Sequence, residues 1–351
     1  MPKRFIRINL NNRKAAYVIA VSFLMVSLFL GISIGTVYIP LRDLLQISLG
    51  MLHVIPEGHV DQTLSTIVIN IRLPRVILAG LVGASLAVAG AAFQGLLRNP
   101  LADPYTLGVS SGASVGAVVT LFFHFTLPFF GHYTLPMLSI VFSWLTILLV
   151  LLFAQKVDRS MRVETIILTG IIFSSFLSAM ISLMIALTGE ELRQIIGWLL
   201  GGVSMRGWAY VQIIFPFFII GSLMLMLNAK ELNALTFGEE KAYHLGVNVQ
   251  KRKMLILTAG SILTGAAVAV SGTIGFAGLV IPHVVRLLWG SDHRHVLPLS
   301  LLTGSGFLIL ADLVARTIIS PIELPIGVIT ALIGAPVFAM ILLNSRKEGR
   351  R

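Results

Sequence analysis

Two arginines and a proline precede a long apolar run in the stretch INIRLPRVILAG, residues 69–80. Arg72 and Arg75 are three positions apart, so a helix would place both on one face. Pro74 suits the first turn of a helix, where its missing N–H would have no partner, yet the helix macrodipole disfavours cations there. Two interpretations stay open: the arginines snorkel to lipid headgroups, or they bind the carboxylates of an acidic partner, a task that suits guanidinium groups.

Residues for covalent or metal chemistry are scarce. The chain has no cysteine, which excludes disulfides, a thiolate nucleophile and cysteine metal sites. Neither the Gly-Lys dipeptide of a P-loop nor the motif HExxH occurs. The pair His293 and His295 is expected in a surface loop rather than at a metal. We therefore predict no catalytic residue, no metal site and no bound cofactor.

Few ionisable side chains lie within the apolar runs. Only Asp312 and His283 qualify as intramembrane groups that could mark a proton or ion pathway. Asp312 lies four residues before Arg316, so an ion pair can neutralise it, and His283 is expected to be a hydrogen-bonded interior residue. Two such ionisable groups are few for a proton-coupled carrier.

The elements that must position these side chains are strongly apolar. Of the 351 residues, 56 % are hydrophobic and only 12 % are charged, whereas soluble domains have about 25 % charged residues. Continuous apolar runs of about 20 residues indicate spanning helices rather than strands, and the first run is too long for a signal peptide. We predict an all-α polytopic membrane protein with about ten transmembrane helices, at residues 15–35, 73–95, 105–124, 135–154, 164–187, 208–228, 254–272, 275–289, 299–317 and 325–343.

The net charge of +11 is better explained by the membrane than by nucleic acid. Cytoplasmic loops carry an excess of Lys and Arg. With both termini in the cytoplasm, as tails 1–14 and 344–351, most of the 26 Lys and Arg lie inside. The exceptions, which lie outside, are Arg42, Arg72, Arg75, Arg193, Arg206 and Arg316.

Small residues recur at the spacing that packs helices in lipid. Gly108, Gly112 and Gly116 lie four apart, and such faces allow backbones to approach closely. GASLAVAG (83–90) and GAAVAVSG (265–272) resemble each other and lie in spans of opposite direction. We predict a compact bundle with an inverted internal repeat, which is typical of transport folds.

The largest polar segment inside the chain is residues 229–253, in the predicted cytoplasm. Gly238 and Gly246 bracket the helix-like piece EEKAYHL. A short helix lying across the inner surface could be inert, or it could be a lever that another protein moves.

Nearly the whole chain, as one transmembrane permease domain of residues 1–351, resembles the FecCD-type permeases of ATP-driven importers for iron–siderophores, haem and cobalamin. The stretches that carry the resemblance are IRLPRVILAGLVGASLAVAGAAFQGLLRNPLADPYTLGVSSGASVGA, ALTFGEEKAYHLGV, SGTIGFAGLVIPHVVRL, SDHRHVLP and LADLVARTIISPIELPIGVITALIGAPVF.

The resemblance implies a bacterial cytoplasmic membrane protein, surrounded by lipid, that works with several partners. These are a second permease subunit, identical or paralogous, two ATP-binding subunits that use the ATP, and an extracytoplasmic substrate-binding protein. In the family, glutamates on the binding protein pair with arginines at the positions of Arg72, Arg75 and Arg316.

The resemblance also implies contacts on the cytoplasmic side. Coupling to the ATP-binding subunits falls on Leu235, Gly238, Glu239, Glu240, Ala242, Leu245, Gly246, Asp292, His293 and Arg294. A cytoplasmic gate falls by position on Asn99, Leu101, Val163 and Glu164.

Ferric siderophores are the largest substrate class of the family and are the expected cargo, with haem and cobalamin as alternatives. Two other classes of function remain open. One is a secondary transporter driven by an ion gradient, and the other is a scaffold subunit that moves no substrate.

Overall fold

The computed structural model describes residues 13–35, 39–51, 61–128 and 130–348, and this part of the chain contains helices and no strand. The helices are α1 (Arg13–Ser33), α2 (Leu41–Met51), α3 (Gln62–Thr66), α4 (Leu73–Leu96), α5 (Val109–Phe122), α6 (Thr134–Val157), α7 (Val163–Leu187), α8 (Leu192–Leu199), α9 (Gly207–Leu227), α10 (Ala229–Thr236), α11 (Glu239–His244), α12 (Val249–Ser271), α13 (Ala277–Trp289), α14 (His293–Thr317) and α15 (Ile326–Glu348). The predicted all-α fold is confirmed.

Seven helical segments of the described chain are long and apolar enough to cross a membrane, and the shorter apolar helices α5, α13 and part of α15 accompany them. Each of the ten predicted spans overlaps one of these helices, although α5 and α13, with 14 and 13 residues, are shorter than a usual span. α5 begins at Val109 rather than near residue 105, because a 3-10 turn capped by Asp103 and the left-handed Gly108 precede it.

The helix that carries Arg72 and Arg75 begins earlier than predicted. Helix α3, a π-helical turn (Ile67–Arg72) and α4 form one apolar helical segment from Gln62 to Leu96. The N-cap of this segment is Asp61, whose side chain accepts a hydrogen bond from the Thr63 N–H. Arg72 and Pro74 therefore lie inside a helix, and the expected conflict with the positive end of the macrodipole does not arise. The π-helical turn just before Pro74 departs locally from the α-helical hydrogen-bond pattern. Pro74 has no backbone N–H and therefore cannot donate a hydrogen bond in that pattern.

Helix α4 is the buried centre of the bundle and contacts α14, α12, α9 and α13. Glycines allow the closest approaches. A Cβ on Gly83 would overlap the carbonyl of Gly304 in α14, and a Cβ on Gly90 would overlap that of Gly278 in α13. In lipid, where apolar burial does not drive helices together, such backbone contact supplies the packing energy.

The glycines at four-residue spacing lie against two neighbouring helices. A Cβ on Gly116 would come within 2.7 Å of the Leu138 carbonyl oxygen of α6, and one on Gly112 would lie 2.8 Å from that of Phe142. Gly108 faces α7 at Gly170 and also requires its positive φ of 81°.

Helices α12 and α13 are separated by a break beside α4. Phe93 of α4 lies against Gly260 of α12, whereas the start of α13, at Gly278, lies against Gly90 of α4. The chain therefore turns back between residues 272 and 276, and the 13-residue α13 runs beside only part of α4. Tyr105 holds this break, because its hydroxyl donates to the Ile274 carbonyl and accepts from the Ile274 N–H.

Several other features differ from the sequence prediction. Helices α2 and α8 were not predicted, since both are shorter than a span. The polar segment 229–253 consists of α10, α11 and the first turn of α12. Of the predicted tails, residues 13–14 belong to α1 and residues 344–348 to α15, and the remaining tail residues lie outside the described chain. The inverted repeat stays a prediction.

Candidate functional site

The end of the bundle that holds the C-terminus of α1 carries a buried charge cluster. Arg75 of α4 binds the Asp312 carboxylate of α14 through Nε, at 3.1 Å from both oxygens, and through Nη2 at 2.8 Å. Its Nη1 donates to Glu323 at 2.8 Å. Arg316 Nε lies 3.6 Å from the other side of Asp312. We call Arg75, Asp312, Arg316 and Glu323, together with Arg72, the arginine cluster.

The remaining donors of the arginine cluster close the end of α1. Arg72 Nη1 donates to the carbonyls of Ile32 at 2.7 Å and Ser33 at 2.9 Å, and Arg316 donates to the carbonyl of Gly31. The last carbonyls of a helix have no partner within the helix. The guanidinium groups therefore act as a C-terminal cap for α1, where positive charge is also favoured by the macrodipole.

Burial distinguishes the members of the arginine cluster. Arg72 is 5 % exposed, Arg316 7 % and Asp312 1 %, whereas the Glu323 side chain is 39 % exposed. Snorkelling of Arg72 to lipid headgroups is therefore wrong for this structure. Partial burial opposes ionisation of Glu323, but its hydrogen bond with Arg75 lowers the pKa of the Glu323 carboxyl below its ordinary value.

The opposite end of the bundle, which we call the basic face, collects segments from the whole chain. Tyr17 near the start of α1 contacts His295 at 3.1 Å, and Gly95 near the end of α4 packs on His293. The basic face also holds the α6–α7 turn, α10, α11 and the starts of α12 and α14. The predicted coupling and gate residues all lie in these segments or next to them.

Helices α10 and α11 present two different sides on the basic face. Leu235 and Ala242 are buried within the chain, so they anchor the helices and do not face a partner. Phe237, Tyr243 and Leu245 are 66–71 % exposed, and Phe237 and Tyr243 were not predicted. Gly238 and Gly246, which flank α11, have positive φ values of 108° and 83°.

Asn233 of α10 joins that helix to the start of α14. Its amide nitrogen donates to Asp292 at 2.7 Å, and its oxygen accepts from the His293 N–H at 2.8 Å. Asp292 is the N-cap of α14, with Arg294 exposed beyond it. The expected surface loop at His293 is wrong, because His293 lies in the first turn of α14 and is 2 % exposed. Within the described residues, no group of three His, Cys, Asp or Glu could hold a metal ion.

A buried lysine joins α12 to two other segments of the basic face. Lys253 Nζ donates to the Met161 carbonyl at 2.7 Å and to Glu239 Oε1 at 2.6 Å. Its side chain is 2 % exposed. From the sequence, Lys253 is indistinguishable from Lys251 and Arg252 beside it, so nothing singled it out.

The predicted gate residues lie in two turns of the basic face. Asn99 accepts a hydrogen bond from the Leu101 N–H at 2.9 Å and so shapes the turn after α4. Val163 begins α7, and Glu164 after it is exposed. Their role as a gate stays a prediction.

His283 differs from the prediction that it is a hydrogen-bonded interior residue. Within the described residues, His283 Nδ1 is buried without a hydrogen-bond partner, and its ring packs edge-on against Phe338 at 6.1 Å between centroids. Nearby in α13, Arg286 donates to the side-chain oxygen of Gln94, whose amide nitrogen in turn donates to the carbonyls of Gly278 and Leu279 at 3.2 Å.

Comparison with known proteins gives one consistent result. Residues 23–344 match the model of the FecCD transport family. The chain is 61 % identical, over 100 % of its length and 99 % of the relative's, to the uncharacterized ABC transporter permease protein YvrB of Bacillus subtilis. It is 43 % identical to the cobalamin import system permease protein BtuC of Halobacterium salinarum, over 81 % of this chain and 75 % of the relative.

A solved structure is also similar. It is an inward-facing ABC transporter assigned to the metal-chelate type, with a TM-score of 0.82 and 33 % sequence identity over 94 % of this chain and 99 % of that one. The all-helical architecture described above is therefore shared with a transporter of known structure.

Proposed function

Because the chain belongs to the FecCD transport family, we propose that this integral membrane protein is the permease subunit of an ATP-driven importer of metal chelates, with ferric siderophores as the first substrate class. The observation that carries the proposal is the family match over residues 23–344, together with ABC permease relatives that span the chain. The sequence has no nucleotide-binding motif, so ATP hydrolysis is assigned to separate subunits.

On this proposal the basic face lies in the cytoplasm with both termini, as the excess of Lys and Arg favours. Two ATP-binding subunits dock on the pair of permeases, one on each basic face. The exposed aromatic and aliphatic side chains of Phe237, Tyr243 and Leu245 fit that role, since aromatic anchors are typical of interface hot spots. A second permease subunit and lipid cover the exposed apolar surface of α7.

The arginine cluster lies on the other side of the membrane, where a binding protein delivers the chelate. The cluster holds three arginines and two carboxylates, so it keeps one net positive charge. That surplus supports docking of an acidic surface, and charge complementarity of this kind raises association rates. In this structure, however, Arg75 is already bound to two carboxylates of its own chain.

A cobalamin permease is the second candidate, because the Halobacterium salinarum relative at 43 % identity has that role. Both cargoes are metal complexes, which agrees with the metal-chelate type of the solved transporter.

Uptake measurements test the proposal. Cells with and without this gene are given radioiron as a panel of ferric siderophores, with haem and labelled cobalamin in parallel. We expect loss of uptake for one siderophore class on deletion. If cobalamin or haem uptake were lost while iron uptake stayed normal, that compound would replace ferric siderophores as the proposed substrate. If uptake in vesicles carrying all subunits followed an ion gradient and not ATP, the importer class itself would be wrong.

The Glu323→Gln substitution is expected to strengthen docking of the binding protein. Glu323 is the exposed carboxylate that occupies Arg75, so removal of its charge frees Nη1 for a carboxylate of the partner. An exposed ion pair contributes about 0.2–1 kcal/mol, which corresponds to a gain of about 1.4- to fivefold in affinity. Biolayer interferometry of the permease in nanodiscs, at low and high salt, measures this effect.

The matched control is Glu190→Gln, which removes the same charge at an exposed position beyond the far end of α7. We expect little change for this variant. Equal affinities for wild type and Glu323→Gln would show that Arg75 does not receive a carboxylate from the binding protein.

A further inference from the structure

One side chain of the basic face joins the neighbouring helices α11 and α12 to a turn 92 positions earlier in the sequence. Lys253 belongs to the first turns of α12, Glu239 begins α11, and Met161 lies in the turn before α7. The Lys253 ammonium donates to both of the others, at 2.6 and 2.7 Å. Lysine is almost never fully buried unless it is paired. The Lys253 side chain is only 2 % exposed, so its burial depends on these two hydrogen bonds.

The turn on one side of Lys253 is closed by several hydrogen bonds to Asp158. Asp158 accepts hydrogen bonds from the Ser160 N–H at 3.0 Å, the Arg162 N–H at 3.2 Å and Arg162 Nε at 2.9 Å. Met161 has a φ of 51°, which is uncommon for a residue with a side chain, and this side chain is 1 % exposed. The Met161 carbonyl therefore belongs to a hydrogen-bonded turn that leads directly into α7.

Helix α11, on the other side of Lys253, lies between two glycines. Gly238 and Gly246 flank it with positive φ values, a conformation that glycine adopts without steric cost. An open groove of about 730 Å³ lies between α11 and the start of α12 and is lined by Ser160, Tyr243, Val247 and Gln250, among others. The groove separates part of α11 from the start of α12.

We propose that Lys253 is a positioning residue that transmits displacement of α11 to the α6–α7 turn and so to the start of α7. This inference rests on the proposed function, in which the ATP-binding subunit contacts α11. A buried ion pair by itself is weak evidence for a contribution to stability. Lys253 is assigned a mechanical role because it joins α11, the helix with exposed Tyr243, to the hydrogen-bonded turn that leads into α7.

The first test uses the complete transporter in liposomes, with the Lys253→Met variant. Methionine fills a similar volume but cannot donate to Met161 or Glu239. We expect assembly to be retained and ATP hydrolysis to stay within about twofold of wild type. Uptake of the radiolabelled siderophore, haem or cobalamin that the cell assay identifies should fall at least about tenfold per ATP hydrolysed. The control is Lys251→Met, an exposed lysine of the same turn, which should leave this ratio unchanged. An unchanged ratio in Lys253→Met would overturn the proposal.

The second test needs no transport and also covers a Lys253→Met variant that fails to assemble. Because the chain has no cysteine, a spin label can be attached specifically at Glu164→Cys in the permease alone. We expect greater label mobility with Glu239→Gln or Lys253→Met, and no change with Lys251→Met. Mobility equal to wild type in Glu239→Gln and in Lys253→Met would contradict the link. If the wild-type transporter moved no chelate but the label responded, the proposed function would fail and the mechanical link would stand.

Discussion

Replacement of Asp312 by asparagine is expected to destabilise the protein more than any other single change in the arginine cluster. Asp312 is 1 % exposed and lies between Arg75 and Arg316. The substitution preserves shape but leaves two largely buried guanidinium groups with one exposed carboxylate, Glu323. Removal of one partner from a buried ion pair costs about 3–5 kcal/mol, which is a large part of a typical folding free energy of about 5–15 kcal/mol.

The thermal unfolding midpoint of the purified permease in detergent, with the monodisperse fraction after heating, measures this loss. The control is Glu323→Gln, which removes a carboxylate from the same arginine at an exposed position. Exposed pairs contribute at most about 1 kcal/mol, so the control should remain close to wild type. A midpoint for Asp312→Asn as high as that of Glu323→Gln would show that Asp312 does not compensate the buried arginines.

The second large effect is expected from Gly90→Ala in α4. The added methyl group would overlap the carbonyl of Gly278. This contact is with backbone, so no side chain can rotate away, and α4 and α13 must move apart. Overpacking of a core costs about 1–3 kcal/mol and occasionally more, and we expect a loss of about 3 kcal/mol because the obstacle is rigid.

The control for this variant is Gly197→Ala in α8, where an added methyl group meets nothing within 4 Å. Alanine in a helix is favoured over glycine by about 0.5–1 kcal/mol, so this variant should be as stable as wild type or slightly more stable. The same detergent melts compare the two. Equal midpoints for Gly90→Ala and Gly197→Ala would show that α13 is not held at backbone contact with α4.

The class of the protein follows from the sequence because a membrane span is a local property. About 20 consecutive apolar residues suffice to identify one, and the ten predicted spans each meet an apolar helix. The short helix between Gly238 and Gly246 was also predicted, since glycine punctuation acts within a few residues. The family resemblance on the quoted motifs was confirmed by the match over residues 23–344.

Helix boundaries were less predictable. The segment containing Arg72 begins at Gln62, because Asp61 caps it and a π-helical turn carries it through to Pro74. Polar residues at helix ends do not show in a hydropathy pattern, although a capping residue such as Asp61 is a signal that could have been used.

The burial and the binding partners of each charged side chain were decided only by the tertiary structure. Arg75 and Asp312 are 237 positions apart in the sequence, and no local pattern predicts that they bind each other. Lys253 and Lys251 look alike in the sequence, yet Lys253 is buried between α11 and the turn before α7, and Lys251 is exposed. The reason is physical: the apolar length that spans a bilayer is encoded in consecutive residues, whereas burial of a charge depends on partners that only the folded chain brings together.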